Sequence, residues 1–163
     1  MTAMPESELT QEEADRLLEL PKHLTDAGMV SLPEAGQGVR FGLTSEDRRE
    51  KFFLDLYRGR LNLAKRTHHT RARRTVPLAR LCVGVPRHRN PGGLEVGANH
   101  LHLFRPGFMD KWAFEPPVNK FTDLTDPFPG THWESSWTTA TSLPRSVVSR
   151  SSVHDRRHRS PLG

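Results

Sequence analysis

GVRFGLTSEDRREKFFLDLYRG, residues 38–59, decides the fold class of this chain. Two β-prone runs, 38–45 and 51–59, flank a short, highly charged turn, which is the pattern of a β-hairpin. In the second run Phe52, Leu54 and Leu56 alternate with Lys51, Phe53, Asp55 and Tyr57. Successive side chains of a strand point to opposite faces, so this alternation gives the strand one core-facing side and one polar side.

Working outward, TQEEADRLLELPK (10–22) carries the signal of a short helix. Thr10 and Glu13 have the spacing of a capping box, Ala14, Leu17 and Leu18 share one face, and Pro21 marks the stop. On the other side of the hairpin, Arg58-Gly59-Arg60 reads as a tight turn. LNLAKRT (61–67) then continues as a strand with Leu61 and Leu63 inward, and HHTRARR is a basic connection or strand end. TVPLARLCVGV (75–85) is a central-strand candidate whose Pro77 places its start near an edge. PRHRNPGGLEVG (86–97) reads as a loop, and ANHLHLF (98–104) as the last strand. The expectation is an α+β domain over residues 10–128, an N-terminal helix packed on an antiparallel β-sheet of four to six strands. A flexible N-terminus (1–9) and a disordered or frame-shifted tail (129–163) flank it.

Composition narrows the function classes. Apolar runs such as Phe52–Leu54 and Leu81–Val85 are far too short to span a bilayer. The acidic start, MTAMPESELTQEEAD, lacks the basic and apolar regions of a secretory signal. The single cysteine, Cys82, excludes an internal disulfide and fits a reducing, cytoplasmic setting with no membrane partner. Its apolar neighbours predict a buried, inert thiol. No P-loop, dinucleotide fingerprint, nucleophile elbow or Cys-x-x-Cys pair is present.

The net charge of +5 conceals a strong polarity. Residues 1–50 carry 5 basic and 11 acidic side chains, whereas residues 51–90 carry 11 basic and one acidic. A basic block of that density suits an anionic partner, RNA or DNA, or else pairs with the acidic N-terminal region or an acidic protein.

The succession LDLYRGRLNLAKRT, RHRNPGG and HLHLFRPGFMDKWAFEPP resembles an uncharacterised family of small bacterial and phage-borne proteins. Its members carry an H-x-H strand, a Gly-containing turn and a D-K-W-A segment, and end in an apolar helix with Tyr-Cys-Asn-Ile. The likeness covers about residues 10–128 and is most specific over 97–117. It implies a fold and a setting, and no assigned activity.

In ANHLHLF, period 2 puts Leu101 and Leu103 on one face and His100, His102 and Phe104 on the other. Three readings follow for the two imidazoles. In metal-free RNA cleavage, His100 and His102 would move protons between the ribose 2′-hydroxyl and the leaving oxygen. In a metal site they would be joined by His88, with Asp110 the nearest following acid, although the set lacks the four ligands of structural zinc. In the third, they are the outward side of a strand. RPGFMDKWAF is expected to turn at Pro106-Gly107 and lay Trp112 and Phe114 on the sheet, with Asp110 and Lys111 flanking a site.

The leading expectation is a nucleic-acid-directed protein of mobile-element or toxin type, up to a metal-independent ribonuclease. His100 and His102 would be catalytic, and no metal or cofactor is expected. Arg58, Arg60, Lys65, Arg66, Arg71, Arg73, Arg74, Arg87 and Arg89 would hold phosphate. The alternative is a non-catalytic binder or inhibitor using the same basic surface.

From Gly130 the chain is rich in Ser, Thr and Arg without periodicity, the composition of disorder. The frameshift hypothesis offers another cause. One codon set for Thr131 to Thr141, read two bases on, spells Thr-Leu-Gly-Val-Phe-Met-Asp-Tyr-Cys-Asn, a close match to the resembling family's ending. The hypothesis expects those codons in the gene, and in-frame codons incompatible with that reading would remove it.

Overall fold

The computed structural model describes residues 9–28 and 30–116. Helix α1 (Gln11–Glu19) precedes nine strands: β1 (Lys22–Leu24), β2 (Gly38–Ser45), β3 (Lys51–Arg58), β4 (Arg66–Ala72), β5 (Val76–Val83), β6 (His88–Arg89), β7 (Glu95–Val96), β8 (His100–Arg105) and β9 (Met109–Phe114). Seven of them form one antiparallel sheet in the order β1-β2-β3-β4-β5-β8-β9. The ribbon β6-β7 lies within the excursion between β5 and β8. The sheet is thus larger than the four to six strands expected, because β1 and β9 add an edge on each side.

The helix begins as its sequence dictates. Thr10 Oγ1 accepts from the Glu13 amide (3.2 Å), and the Glu13 carboxylate accepts from the Thr10 amide (3.0 Å). Ala14, Leu17 and Leu18 are buried, and Leu9, expected in a flexible terminus, is buried with them just ahead of the cap. Their face joins a core made by Phe52, Leu54 and Leu56 of β3, Val76, Leu78, Ala79, Leu81 and Val83 of β5, and Leu101 and Leu103 of β8. This is the face that the period of residues 51–57 predicts.

Four expectations change. The strand placed at 61–67 starts at Arg66, and Leu61 and Leu63 are 98% and 51% exposed. Asn62 folds that segment into a loop, its side chain accepting from the Ala64 amide (3.0 Å) while the Gly59 amide donates to the Lys65 carbonyl (2.8 Å). A Cβ on Gly59 would collide with the Asn62 carbonyl, so glycine is required there. HHTRARR is therefore mostly an interior strand, β4, between β3 and β5.

Second, Pro77 sits inside an interior strand. Its missing N–H is tolerated because β8 pairs with β5 only from Ala79 to Cys82, and the β4 register shifts between Thr70 and Arg71 opposite it. Third, β8 is not the last strand, since β9 returns beside it after the turn at Pro106-Gly107. Fourth, the 86–97 segment, read as a loop, contains β6 and β7. The expected tail, 129–163, lies outside the described residues.

Lys22 closes the helix. Its Nζ donates to the carbonyls of Leu17 (2.8 Å), Leu18 (3.1 Å) and Leu20 (2.8 Å), and stands 4.7 Å from the Phe52 ring centre. A cation is favourable at the negative end of a helix, and these carbonyls have no partner within the helix itself. Lys22→Met should lower unfolding free energy by about 1–3 kcal/mol through orphaned carbonyls, read by urea denaturation.

Candidate active site on the polar sheet face

The face opposite the core carries a row of charged and imidazole side chains in direct register across five strands. Arg40 on β2 pairs with Asp55 on β3, Asp55 with His69 on β4, His69 with Arg80 on β5, and Arg80 with His102 on β8. Cross-strand partners sit about 4.5–5.5 Å apart at Cβ, so each side chain feels the next. The row interleaves charged and imidazole side chains, and its geometry is built on ion pairs.

Asp55 is held from both sides. Its Oδ1 accepts from Arg40 Nε (2.6 Å) and its Oδ2 from Arg71 Nε (2.8 Å), with Arg71 Nη2 in ion-pair contact 2.6 Å from the same oxygen. Asp110, at the start of β9, lies over the other end of the row. Its Oδ2 is 3.2 Å from Arg80 Nε and 3.9 Å from His69 Nε2. Neither contact has hydrogen-bond geometry, because both nitrogens are buried without a hydrogen-bond acceptor. The carboxylate therefore acts on them by charge. Its nearness favours the His69 tautomer with hydrogen on Nε2, leaving the Nδ1 lone pair as a base. Burial lowers the His69 pKa below its usual value, Asp110 works against that, and Arg80 and Arg71 reinforce it. His69 is neutral at pH 7 and able to accept a proton.

His100 and His102 do not stand on an exposed face. They are 3% and 2% exposed, beneath the excursion that carries β6 and β7. His100 Nδ1 donates to the Gly97 carbonyl (2.7 Å) and His102 Nδ1 to the Asp110 carbonyl (2.8 Å). A 3.5 Å approach of Arg80 NH2 to the same His102 nitrogen is the weaker contact, and the carbonyl decides the tautomer. Burial first, and then Arg80, push the His102 pKa down to about 4, and burial lowers that of His100. His88 lies against both, its ring centre 4.6 Å from that of His102 and 5.5 Å from that of His100. Phe104, placed with these histidines by period, is buried with the core.

The basic block is not one surface. Arg58, Arg60 and Lys65 gather at the end of the sheet that holds the 59–65 loop. Arg66, also at that end, is only 6% exposed and engaged in the fold. Arg73 and Arg74 form the turn at the opposite end, both with positive φ. Arg87 and Arg89 are exposed on the excursion. Of the expected phosphate ligands, Arg71 alone reaches the central row. Among the described residues, the acidic N-terminal region meets the block in the ion pair of Glu13 with Arg73 at 3.7 Å.

Sequence reasoning missed Asp55, His69 and Arg80 as a unit. Asp55 was the available signal: it is the lone acid among the 11 cations of residues 51–90, on the polar parity of a strand. Trp112, expected to lie on the sheet, is half-buried, with the Arg105 guanidinium 4.6 Å from its ring.

A family model matches residues 9–133 of this chain. The chain belongs to that family, DUF6978, a family of unknown function. No curated protein and no solved structure matches it significantly. The match spans the whole described sheet. Among the described residues, no helix is long and apolar enough to cross a membrane.

The depressed His102 pKa has a consequence for stability. A base with a lower pKa folded than unfolded takes up protons on unfolding, so its contribution is intact above about 6.5 and lost progressively towards pH 4. That loss should reach roughly 3 kcal/mol at most. His68, also held down to about 4 by burial, should act in the same direction. Urea denaturation of the chain without added metal should show this acid slope, and His102→Gln should flatten it.

Proposed function

We propose that this DUF6978 protein is directed at nucleic acid and cleaves RNA without a metal at the reacting phosphate, using the polar face of its sheet. The observation that carries the reading is His69, a neutral imidazole set between the carboxylates of Asp55 and Asp110 and the guanidiniums of Arg71 and Arg80. The proton-transfer role expected of His100 and His102 passes to His69, because those two are covered and poorly basic.

In this scheme His69 Nδ1 takes the proton of a ribose 2′-hydroxyl, and the 2′-oxygen forms a bond to the adjacent phosphorus. The bond from phosphorus to the 5′-oxygen breaks, the departing oxygen takes a proton from water, and a 2′,3′-cyclic phosphate remains. Arg71 and Arg80 are already oriented by carboxylates and would stabilise the charge that builds on the equatorial oxygens. Three guanidiniums, from Arg40, Arg71 and Arg80, face two carboxylates, which leaves the row cationic enough to attract a phosphodiester. Arg58, Arg60, Lys65, Arg73 and Arg74 at the two ends would track a longer strand, and their contribution should weaken steeply as salt rises.

Purified protein should cut RNA to ends carrying 2′,3′-cyclic phosphate, with a rate that falls only as pH drops below the usual histidine value of 6.5. His69→Ala should slow cleavage by about 10²–10⁴-fold and keep RNA binding. RNA bound by both proteins and cut by neither would instead assign a non-catalytic binder. Neither binding nor cutting by folded protein would remove both readings.

A further inference from the structure

Behind the charged row, on the same face, lies a second cluster that the proposed chemistry does not use. Cys82 on β5 is directly opposite His100 on β8, and His102 follows two residues on. Ligand atoms of Cys82, His100 and His102 all lie within 4.8 Å of one another, and all three residues are buried. His88, on β6, places a third imidazole against the pair.

Each imidazole already has the outer partner that a metal ligand requires. His100 Nδ1 and His102 Nδ1 donate to the Gly97 and Asp110 carbonyls, which leaves Nε2 of each as the lone pair. His88 Nε2 donates to the Lys111 carbonyl at 2.8 Å, which leaves its Nδ1. Hydrogen bonds of this kind fix the tautomer and aim the ligating nitrogen. Two buried imidazoles beside a thiol, with a third ring packed on them, have no packing rationale equal to that of an apolar cluster, since burying an imidazole carries a desolvation cost. One thiolate and three imidazoles are four ligands, the number a closed tetrahedral zinc site takes.

We infer that Cys82, His88, His100 and His102 form a structural Zn²⁺ site that staples the 85–99 excursion to the sheet. In a tetrahedral site with Zn–N near 2.1 Å and Zn–S near 2.3 Å, ligand atoms stand about 3.3–3.7 Å apart. The ligand atoms of Cys82, His100 and His102 already stand within 4.8 Å of one another, and metal binding would draw in His88, packed on the two imidazoles, as the fourth. The Cys82 thiol, whose pKa burial raises, gives up its proton to solvent as the metal binds. Hydrogen bonds already hold the excursion to the sheet, among them the Gly97 amide to the Glu115 carboxylate (3.1 Å) and His88 Nε2 to the Lys111 carbonyl (2.8 Å), and the metal would add to these. Asn90 exchanges two hydrogen bonds with the Ala113 backbone (2.8 and 2.7 Å), and Asn99 accepts from the Gly84 amide (2.9 Å). The inference goes beyond the RNA reading and does not depend on it, because His69 belongs to the other cluster.

The test is Co²⁺ and Zn²⁺ titration of the purified full chain after chelation. Cys82 is the only cysteine in the sequence, so a thiolate-to-Co²⁺ charge-transfer band can arise from this site alone. One equivalent of Co²⁺ should produce that band with tetrahedral d–d absorption, Zn²⁺ should displace it, and amide exchange across 85–99 should slow. Cys82→Ala should abolish the band. His88→Ala, a change at a half-buried ribbon position, should weaken Zn²⁺ binding by more than 100-fold while the fold persists, judged by circular dichroism. Folded protein that yields no band, or Zn²⁺ uptake unchanged in both variants, would overturn the site. His69→Ala should bind metal like the parent, so failure of the RNA reading and failure of this one remain distinguishable.

Discussion

Strand register is the constraint on which the rest of the structure depends. The row Arg40, Asp55, His69, Arg80 and His102 exists because five antiparallel strands are aligned residue against residue. The same alignment puts Leu54, Ala79 and Leu103 together on the other face, under α1. A slip of one residue in any strand would move its apolar set into the polar row and its charges into the core. Burial of one face thus fixes the chemistry of the other. The two carboxylates add to this, since Asp55 with Arg40 and Arg71 is a pairing available only in the observed register.

The excursion between β5 and β8 completes the molecule. By covering His100 and His102 it changes their chemistry, because imidazoles removed from water hold protons poorly. By bringing His88 onto them it creates a cluster of nitrogen and sulfur donors with oriented lone pairs. The polar face is thereby divided. One half is a charged row with a neutral base in its middle, and the other is a buried cage of soft ligands. Asp110 touches both, its side chain facing Arg80 and His69 and its carbonyl accepting from His102. Any movement of β9 would therefore be felt by the two halves together.

Linear charge density proved a poor guide to surface charge. The 11 cations of residues 51–90 are spread over strands, turns and the excursion, and antiparallel connections send alternate turns to opposite ends. Arg60 and Arg74 are close in sequence and belong to turns at the two ends of the sheet. Within a strand, alternation sends Arg71 to the polar face and Arg66 to the core side of the sheet, where it is buried. A block that looks like one patch becomes two rims, a central pair in Arg71 and Arg80, a buried Arg66, and Arg87 and Arg89 on the excursion.

By itself the sequence determined the helix and its cap, the hairpin of β2 and β3, the apolar parity of β3 and β8, and the polar character of the opposite parity. These are local properties: a capping box spans four residues and strand alternation repeats every two, so neighbours in the chain suffice to fix them. It misplaced the start of β4, because Asn62 overrides the β-propensity of the leucines around it. Only the tertiary structure decided which strands lie side by side, and hence that Asp55 meets His69 and that Cys82 meets His100. Such pairings join residues 14 and 18 positions apart, whose registry depends on turn lengths and on burial of the far face. Whether a histidine on a strand is wet or dry was likewise beyond the strand's own residues, since the cover comes from elsewhere in the chain.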